Sequence, residues 1–248
     1  MSSPSPTLIT TVAKILNKRF PLRLADTSWD NVGTLVENPK PNGTGKIMIT
    51  IDLTPAVMDQ CLAENVEVIV AYHPPIFMPM KKLTTSNPKQ NIILNCIANG
   101  MSIYSPHTSF DASEGGINDW LIGIVGITAE TSQPIQPSSA ADAAAVSGVG
   151  KAPEVIKTGY GRVGKFDGGG SKKLSELVPL LKEGLGIPSL RVALPGGSQA
   201  SAGGIKAGEA LDIATVAVCA GSGGSVFKGL GKNGPVDLGI TGELSHHE

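Results

Sequence analysis

The chain predicts an α/β fold with a largely parallel sheet, and three observations carry that expectation. Short apolar, β-branched runs at Lys46–Asp52, Val66–Ala71 and Met101–Tyr104 alternate with segments patterned as helices. The Val66–Ala71 run is continuous rather than alternating, as in a strand buried on both faces. Directly after it, in Tyr72-His-Pro-Pro75, the two prolines remove backbone donors, so the strand should end near His73.

The elements follow in order. Thr7–Phe20 places Leu8, Val12, Ile15 and Leu16 at helical spacing with Lys14, Lys18 and Arg19 outside, and Pro21 ends this amphipathic helix. Trp29-Asp-Asn-Val-Gly-Thr-Leu-Val36 reads as a turn feeding a short strand, and residues 38–45 as a loop. Lys46–Asp52 is a strand with an acid at its end, and Thr54-Pro55 opens a helix through Ala63 in the expected cap order. A helix over Asn91–Asn99 stops at Gly100, Met101–Tyr104 is a brief strand, and Ile117 to about Val125 is helical. Residues 131–157 are rich in Ser, Pro and Ala and read as a linker. Beyond them come a strand-like Gly159–Phe166, a helix at Leu174–Leu185, and strands at Leu190–Leu194, Ile213–Cys219 and Val236–Ile240. The expected organisation is an N-terminal α/β lobe over 1–130, a linker over 131–157 and a second lobe over 158–248.

Composition removes several function classes. With 17% charged residues and a formal net charge of −1, no basic excess marks a nucleic-acid face, and 4% aromatics argue against base stacking. No apolar stretch approaches the roughly 20 residues of a membrane span. Cys61, Cys96 and Cys219 form no CxxC pair and sit among apolar residues, which points to reduced, packed thiols in a cytosol-like compartment. The N-terminus lacks a secretory pattern. Lys14, Lys18 and Arg19 fit a mitochondrial presequence, but Asp26 and Asp30 follow closely, so cytoplasm is the expected location, with mitochondrion and nucleus left open.

The chemistry concentrates on four histidines. His73, His107, His246 and His247 each follow a predicted strand, with Asp111, Glu243 and Glu248 in the same motifs. Imidazole plus carboxylate is the usual ligand mix for Zn, Mn, Fe, Co or Ni, and strand ends of an α/β sheet share one edge. The plainer alternatives are packed, hydrogen-bonded histidines and, for His246 and His247, a solvated terminal pair. There is no GxSxG elbow, and Gly221–Ser225 reads as a tight turn rather than a phosphate cradle. The formal GxGxxG at Gly159–Gly164 opens no helix at its last glycine, so it is a chance match to the dinucleotide fingerprint. Trp29-Asp30-Asn31 reads as a capped turn with its Trp on the core, a substrate-facing role being the alternative.

Taken in order, Trp29-Asp-Asn-Val-Gly33, Ile51-Asp-Leu-Thr54, Tyr72-His-Pro-Pro-Ile-Phe77, His107-Thr-Ser-Phe-Asp111 with Gly115-Gly-Ile-Asn118, Gly159-Tyr-Gly-Arg-Val-Gly164, Val218-Cys-Ala-Gly-Ser-Gly223 and Ile240-Thr-Gly-Glu-Leu-Ser-His-His247 resemble the Nif-three-like family. Its bacterial members are often labelled GTP cyclohydrolase I type 2 homologues. The resemblance implies two similar α/β lobes around a cleft holding a pair of divalent metals, and a ring-like homo-oligomer, commonly a hexamer. It assigns His73 and Asp111 as metal ligands and puts Tyr72 where the family's first ligand histidine stands. His107 then lies beside the ligands, and Glu243, His246 and His247 line the site. The family's last His and Glu ligands come after its Thr-Gly-Glu segment, so the chain is expected to lack a C-terminal piece and to hold its metal weakly unless another donor joins.

Two function classes follow. One is a metal-dependent hydrolase or cyclohydrolase acting on a small or nucleotide-like molecule, with His107 or Glu243 moving the proton. The other is a non-enzymatic protein working through a partner in transcriptional regulation, or a ring-forming scaffold with an incomplete metal site. The family resemblance decides fold far better than activity.

Overall fold

The computed structural model describes residues 6–148, 153–194, 211–232 and 234–244. The chain divides into two units, residues 1–113 and 114–248.

In the first unit, helix α1 (Leu8–Arg19) starts where the Thr7 side chain accepts from the Thr10 amide. Strands β1 (Gly33–Val36) and β2 (Ile47–Thr50) follow. Helix α2 (Pro55–Ala63) has the expected Thr54 cap and Pro at its first turn. Then come β3 (Val68–Ala71), α3 (Pro88–Ala98), β4 (Ser102–Ser105) and the short α4 (Thr108–Ala112), which the sequence pattern did not predict. The sheet order is β1-β4-β3-β2, with β2, β3 and β4 parallel and β1 antiparallel to β4.

All four β3 residues are buried, and their alternation explains why the run is continuous. Ile69 and Ala71 pack with Met58 and Cys61 of α2 and Ile92, Ile93 and Cys96 of α3. Val68 and Val70 face Ile9 and Val12 of α1. Helices therefore cover both faces of this strand, and each buried Val or Ile contributes roughly 1.5–3 kcal/mol. The regular strand stops at Ala71, yet the Tyr72 and His73 amides still donate to Thr50 and Ile51 carbonyls. Backbone pairing thus runs to the residue before Pro74.

The second unit begins with α5 (Ile117–Ile124). Next are β5 (Ser132–Gln133), β6 (Gln136–Pro137), α6 (Ala140–Ser147), β7 (Gly159–Tyr160), β8 (Arg162–Lys165) and β9 (Lys172–Lys173). Helix α7 (Leu174–Leu185) has the predicted bounds. It is followed by β10 (Asp212–Ile213), β11 (Thr215–Ser222), α8 (Gly224–Phe227) and β12 (Leu238–Glu243). The main sheet, β12-β11-β8-β5, is parallel only between β11 and β12. Its core sets Leu121, Ile122 and Val125 with Leu174, Leu177 and Leu181 of α7 against Val216 and Val218. The fold is thus mixed α/β with mixed sheets.

Three expectations change here. The division falls after Ser113 rather than at 130. The segment expected as a linker carries β5, β6 and α6, because β5 pairs with β8 and Ile135 is buried with Val163 and Ala217. Composition pointed to a linker, but one well-placed isoleucine and a strand register draw the segment into the fold. Leu190–Leu194 forms no strand; it lies between Pro188 and Pro195, and Leu190 and Leu194 pack on the core without a ladder. The glycines of Gly159–Gly164 serve packing: a Cβ on Gly159 would lie 2.2 Å from the Gln136 carbonyl oxygen, and one on Gly164 2.7 Å from Ile127. No helix among the described residues is long and apolar enough to cross a membrane.

Candidate functional site

The topology of the first unit gathers its polar residues. The parallel strands β2, β3 and β4 deliver Asp52, Tyr72-His73 and His107 just past their carboxyl ends. β1 runs the other way, with Gly33 opposite Ser105, so the residues entering β1 reach that same edge. Asp30 arrives by this route.

His107 is the most tightly held of these side chains. Its Nδ1 lies 2.6 Å from Asp30 Oδ1. The other Asp30 oxygen accepts from the Thr108 hydroxyl at 2.5 Å and the Thr108 amide at 3.3 Å. The Asn31 amide donates to Oδ1 at 2.7 Å. Burial opposes ionisation of Asp30, but the His107 and Thr108 hydrogen bonds outweigh it and hold the carboxyl below its usual range. The Asp30 side chain is 0% exposed and that of His107 16%. His107 also has φ 32°, ψ −119°, a backbone state that costs on the order of 1–3 kcal/mol in a residue with a Cβ. The Asp30 clamp and the α4 turn that follows hold it there.

His73 is held more loosely. Its Nδ1 lies 2.9 Å from Asp52 Oδ1, but the two side chains are 48% and 64% exposed, so water screens the pair. Tyr72 donates its hydroxyl to Asp111 Oδ1 at 2.6 Å. Burial pushes the Asp111 carboxyl above its usual range, against the Tyr72 bond and the charges of His107 and His73. The rings converge: His73 to His107 is 5.5 Å between centroids, Tyr72 to His107 5.5 Å and Tyr72 to His73 4.9 Å. Trp29 and Phe77 meet His107 edge-on at 6.0 and 6.5 Å.

The cluster therefore unites Tyr72, His73, His107 and Asp111 of the sequence reading. Glu243 ends β12 in the second unit with its side chain exposed. His246 and His247 lie outside the described residues. Asp30 and Asp52 lie outside the candidate site residues read from the sequence, although both stand in motifs noted above; the signals available are an acid before β1, separated from it by Asn31 and Val32, and another after β2, separated from it by Ile51. Trp29 is 52% exposed rather than packed in the core, and Asp30 holds a side chain, beyond its local backbone contact.

Two imidazoles and a carboxylate suit a divalent cation, and each imidazole has a carboxylate on Nδ1, as ligand histidines usually do. The donor chemistry fits. Among the described residues, however, no group of three His, Cys, Asp or Glu side chains is already arranged to hold an ion.

The sequence profile of Duf34/NIF3 (NGG1p interacting factor 3) matches residues 7–248. The chain is 36% identical to NGG1-interacting factor 3 of Saccharomyces cerevisiae, across 96% of this chain and 78% of that protein. It is 37% identical to the protein NIF3 homolog of Schizosaccharomyces pombe, across 95% and 75%. A solved Bacillus cereus protein related to NIF3 superposes with a TM-score of 0.73 at 19% identity, covering 96% of this chain and 82% of the other; this likeness is one of fold. Profile, sequence and fold agree, and the chain belongs to the Duf34/NIF3 family.

Proposed function

We propose that the protein binds a divalent metal through His73 and Asp111 and acts as a metal-dependent hydrolase or cyclohydrolase on a small or nucleotide-like molecule. The observation that supports this is the pairing of two adjacent imidazoles, each with Nδ1 on a carboxylate, beside an Asp111 oriented by Tyr72. Ionised Asp30 can only accept, so the neutral imidazole of His107 has its proton on Nδ1 and its lone pair on Nε2. His107 thereby takes a proton from a water at the site, and the buried carboxylate of Asp30 stabilises the imidazolium that forms. Tyr72 keeps Asp111 Oδ1 in place, and Asp52 biases His73 toward the same tautomer. A bound divalent cation would supply Lewis acidity, polarising the scissile group and acidifying water. Glu243 is the alternative proton carrier. Assembly into a ring-like homo-oligomer, commonly a hexamer in the family, would bring in donors beyond the two named, and the cytoplasm is the proposed compartment.

Elemental analysis of untagged, chelator-free protein tests the metal reading. Metal is expected in the wild type and lost in His73→Ala and Asp111→Asn, with unchanged circular dichroism. A metal-free wild type purified and dialysed with Zn, Mn, Fe, Co or Ni present sinks it. The name of the yeast relative, an NGG1-interacting factor, supports a second reading as an interaction protein. In that case a protein partner stays bound to both variants.

A further inference from the structure

We propose that Asp30 is a positioning residue that fixes His107 in the Nδ1-protonated tautomer, making Nε2 the working nitrogen of the site. The tautomer follows from the geometry alone; its use in proton transfer rests on the function proposed above.

The Asp30 carboxylate takes four donors: His107 Nδ1–H and the Asn31 amide on Oδ1, and the Thr108 amide and hydroxyl on Oδ2. A carboxylate with no exposed surface and both oxygens engaged has no freedom to turn. The Nδ1 it faces must donate, because an ionised carboxylate can only accept. The backbone points the same way. A residue with a Cβ keeps φ 32° only when its surroundings over-determine it, and here one carboxylate grips both the His107 ring and the residue that follows. A merely structural histidine needs no such conformation: an ordinary turn into α4 would leave the imidazole free to move. Asp52 is not an equivalent device for His73, since that pair is exposed and free to exchange with water. No described residue hydrogen-bonds Nε2 of His107, so its lone pair stays available beside Tyr72, His73 and the exposed edge of Trp29.

The test is nitrogen-15 NMR of the imidazoles in the full chain, with His107→Gln assigning the His107 signals. The wild type is expected to show a single neutral tautomer, with the proton on Nδ1 and that proton strongly deshielded by the carboxylate. Asp30→Asn should abolish the deshielded signal and move protonation to Nε2. Thr108→Val, which removes a donor from Asp30 but leaves its bond to His107, should keep the wild-type pattern. A wild-type His107 protonated on Nε2 overturns the proposal, as does a folded Asp30→Asn with an unchanged tautomer; should Asp30→Asn not fold, the wild-type spectrum alone decides. Metal content, measured on the same samples, separates this outcome from failure of the metal reading: wild type without metal but with Nδ1 protonated removes the hydrolase and leaves the positioning.

Discussion

Replacing Asp119 by Ala should damage the second unit more than its small size implies. Arg162 is 1% exposed, and Asp119 accepts from its Nε at 2.5 Å and its Nη2 at 3.0 Å. Its Nη1 donates to the Gly159 and Gly161 carbonyls at 2.7 Å each, so the guanidinium stays anchored when the acid is gone. An arginine does not shed its proton to escape burial. The variant therefore takes the two-point carboxylate contact away from a buried guanidinium and loses the Gly115 amide bond to Asp119 as well. Breaking a buried pair in this way costs about 3–5 kcal/mol. At about 2–4 °C per kcal/mol, the melting point of the unit should fall by roughly 6–20 °C. The two tryptophans make this readable, since Trp29 lies in the first unit and Trp120 in the second, beside Asp119. In a Trp29→Phe background, Trp120 fluorescence during thermal and urea unfolding should report the whole loss. The paired change Asp119→Leu with Arg162→Met, which removes both charges, should cost less than Asp119→Ala alone. A loss below about 1 kcal/mol for Asp119→Ala, or a double variant no better than the single, would refute the assignment of this pair as a buried, desolvated contact.

Two further predictions concern the first unit. Tyr72→Phe removes only the hydroxyl that orients Asp111 and should lower divalent-metal affinity by about 10–100-fold without unfolding the chain, measured by competition with a chelating dye; equal affinity would deny Tyr72 that part. Cys61 and Cys96 are fully buried, and burial raises both thiols, that of Cys96 to about 12. Since the thiolate is the reacting form, an aromatic disulfide reagent at pH 8 should label them only as fast as the unit opens; rapid labelling of the native chain would show that these thiols are reachable.

Much of the local structure was legible in the residues. Thr7 and Thr54-Pro55 mark helix starts because a side-chain oxygen and a missing amide hydrogen suit those positions in any protein. Val68–Ala71 reads as a doubly covered strand because nothing polar interrupts it. Leu174–Leu185 carries its helical period within itself. The strand-end positions of His73 and His107 could be read the same way, and the order of the motifs named the family. Ser132–Pro137 shows the limit of composition: it resembles the start of a linker until a strand partner for Ser132 and Gln133 and the burial of Ile135 claim it.

What the sequence by itself determined is the longer helices and the buried strands of the first unit, the family and the residue types available for chemistry, since these rest on local spacing and on motif order. Tertiary structure alone decided the partners. Asp30 meets His107 across 77 residues because β1 runs antiparallel to β4, and Arg162 meets Asp119 across 43 because their carriers pack side by side. Sheet order and strand direction come from the summed burial of many distant side chains, and no short window of sequence contains that sum.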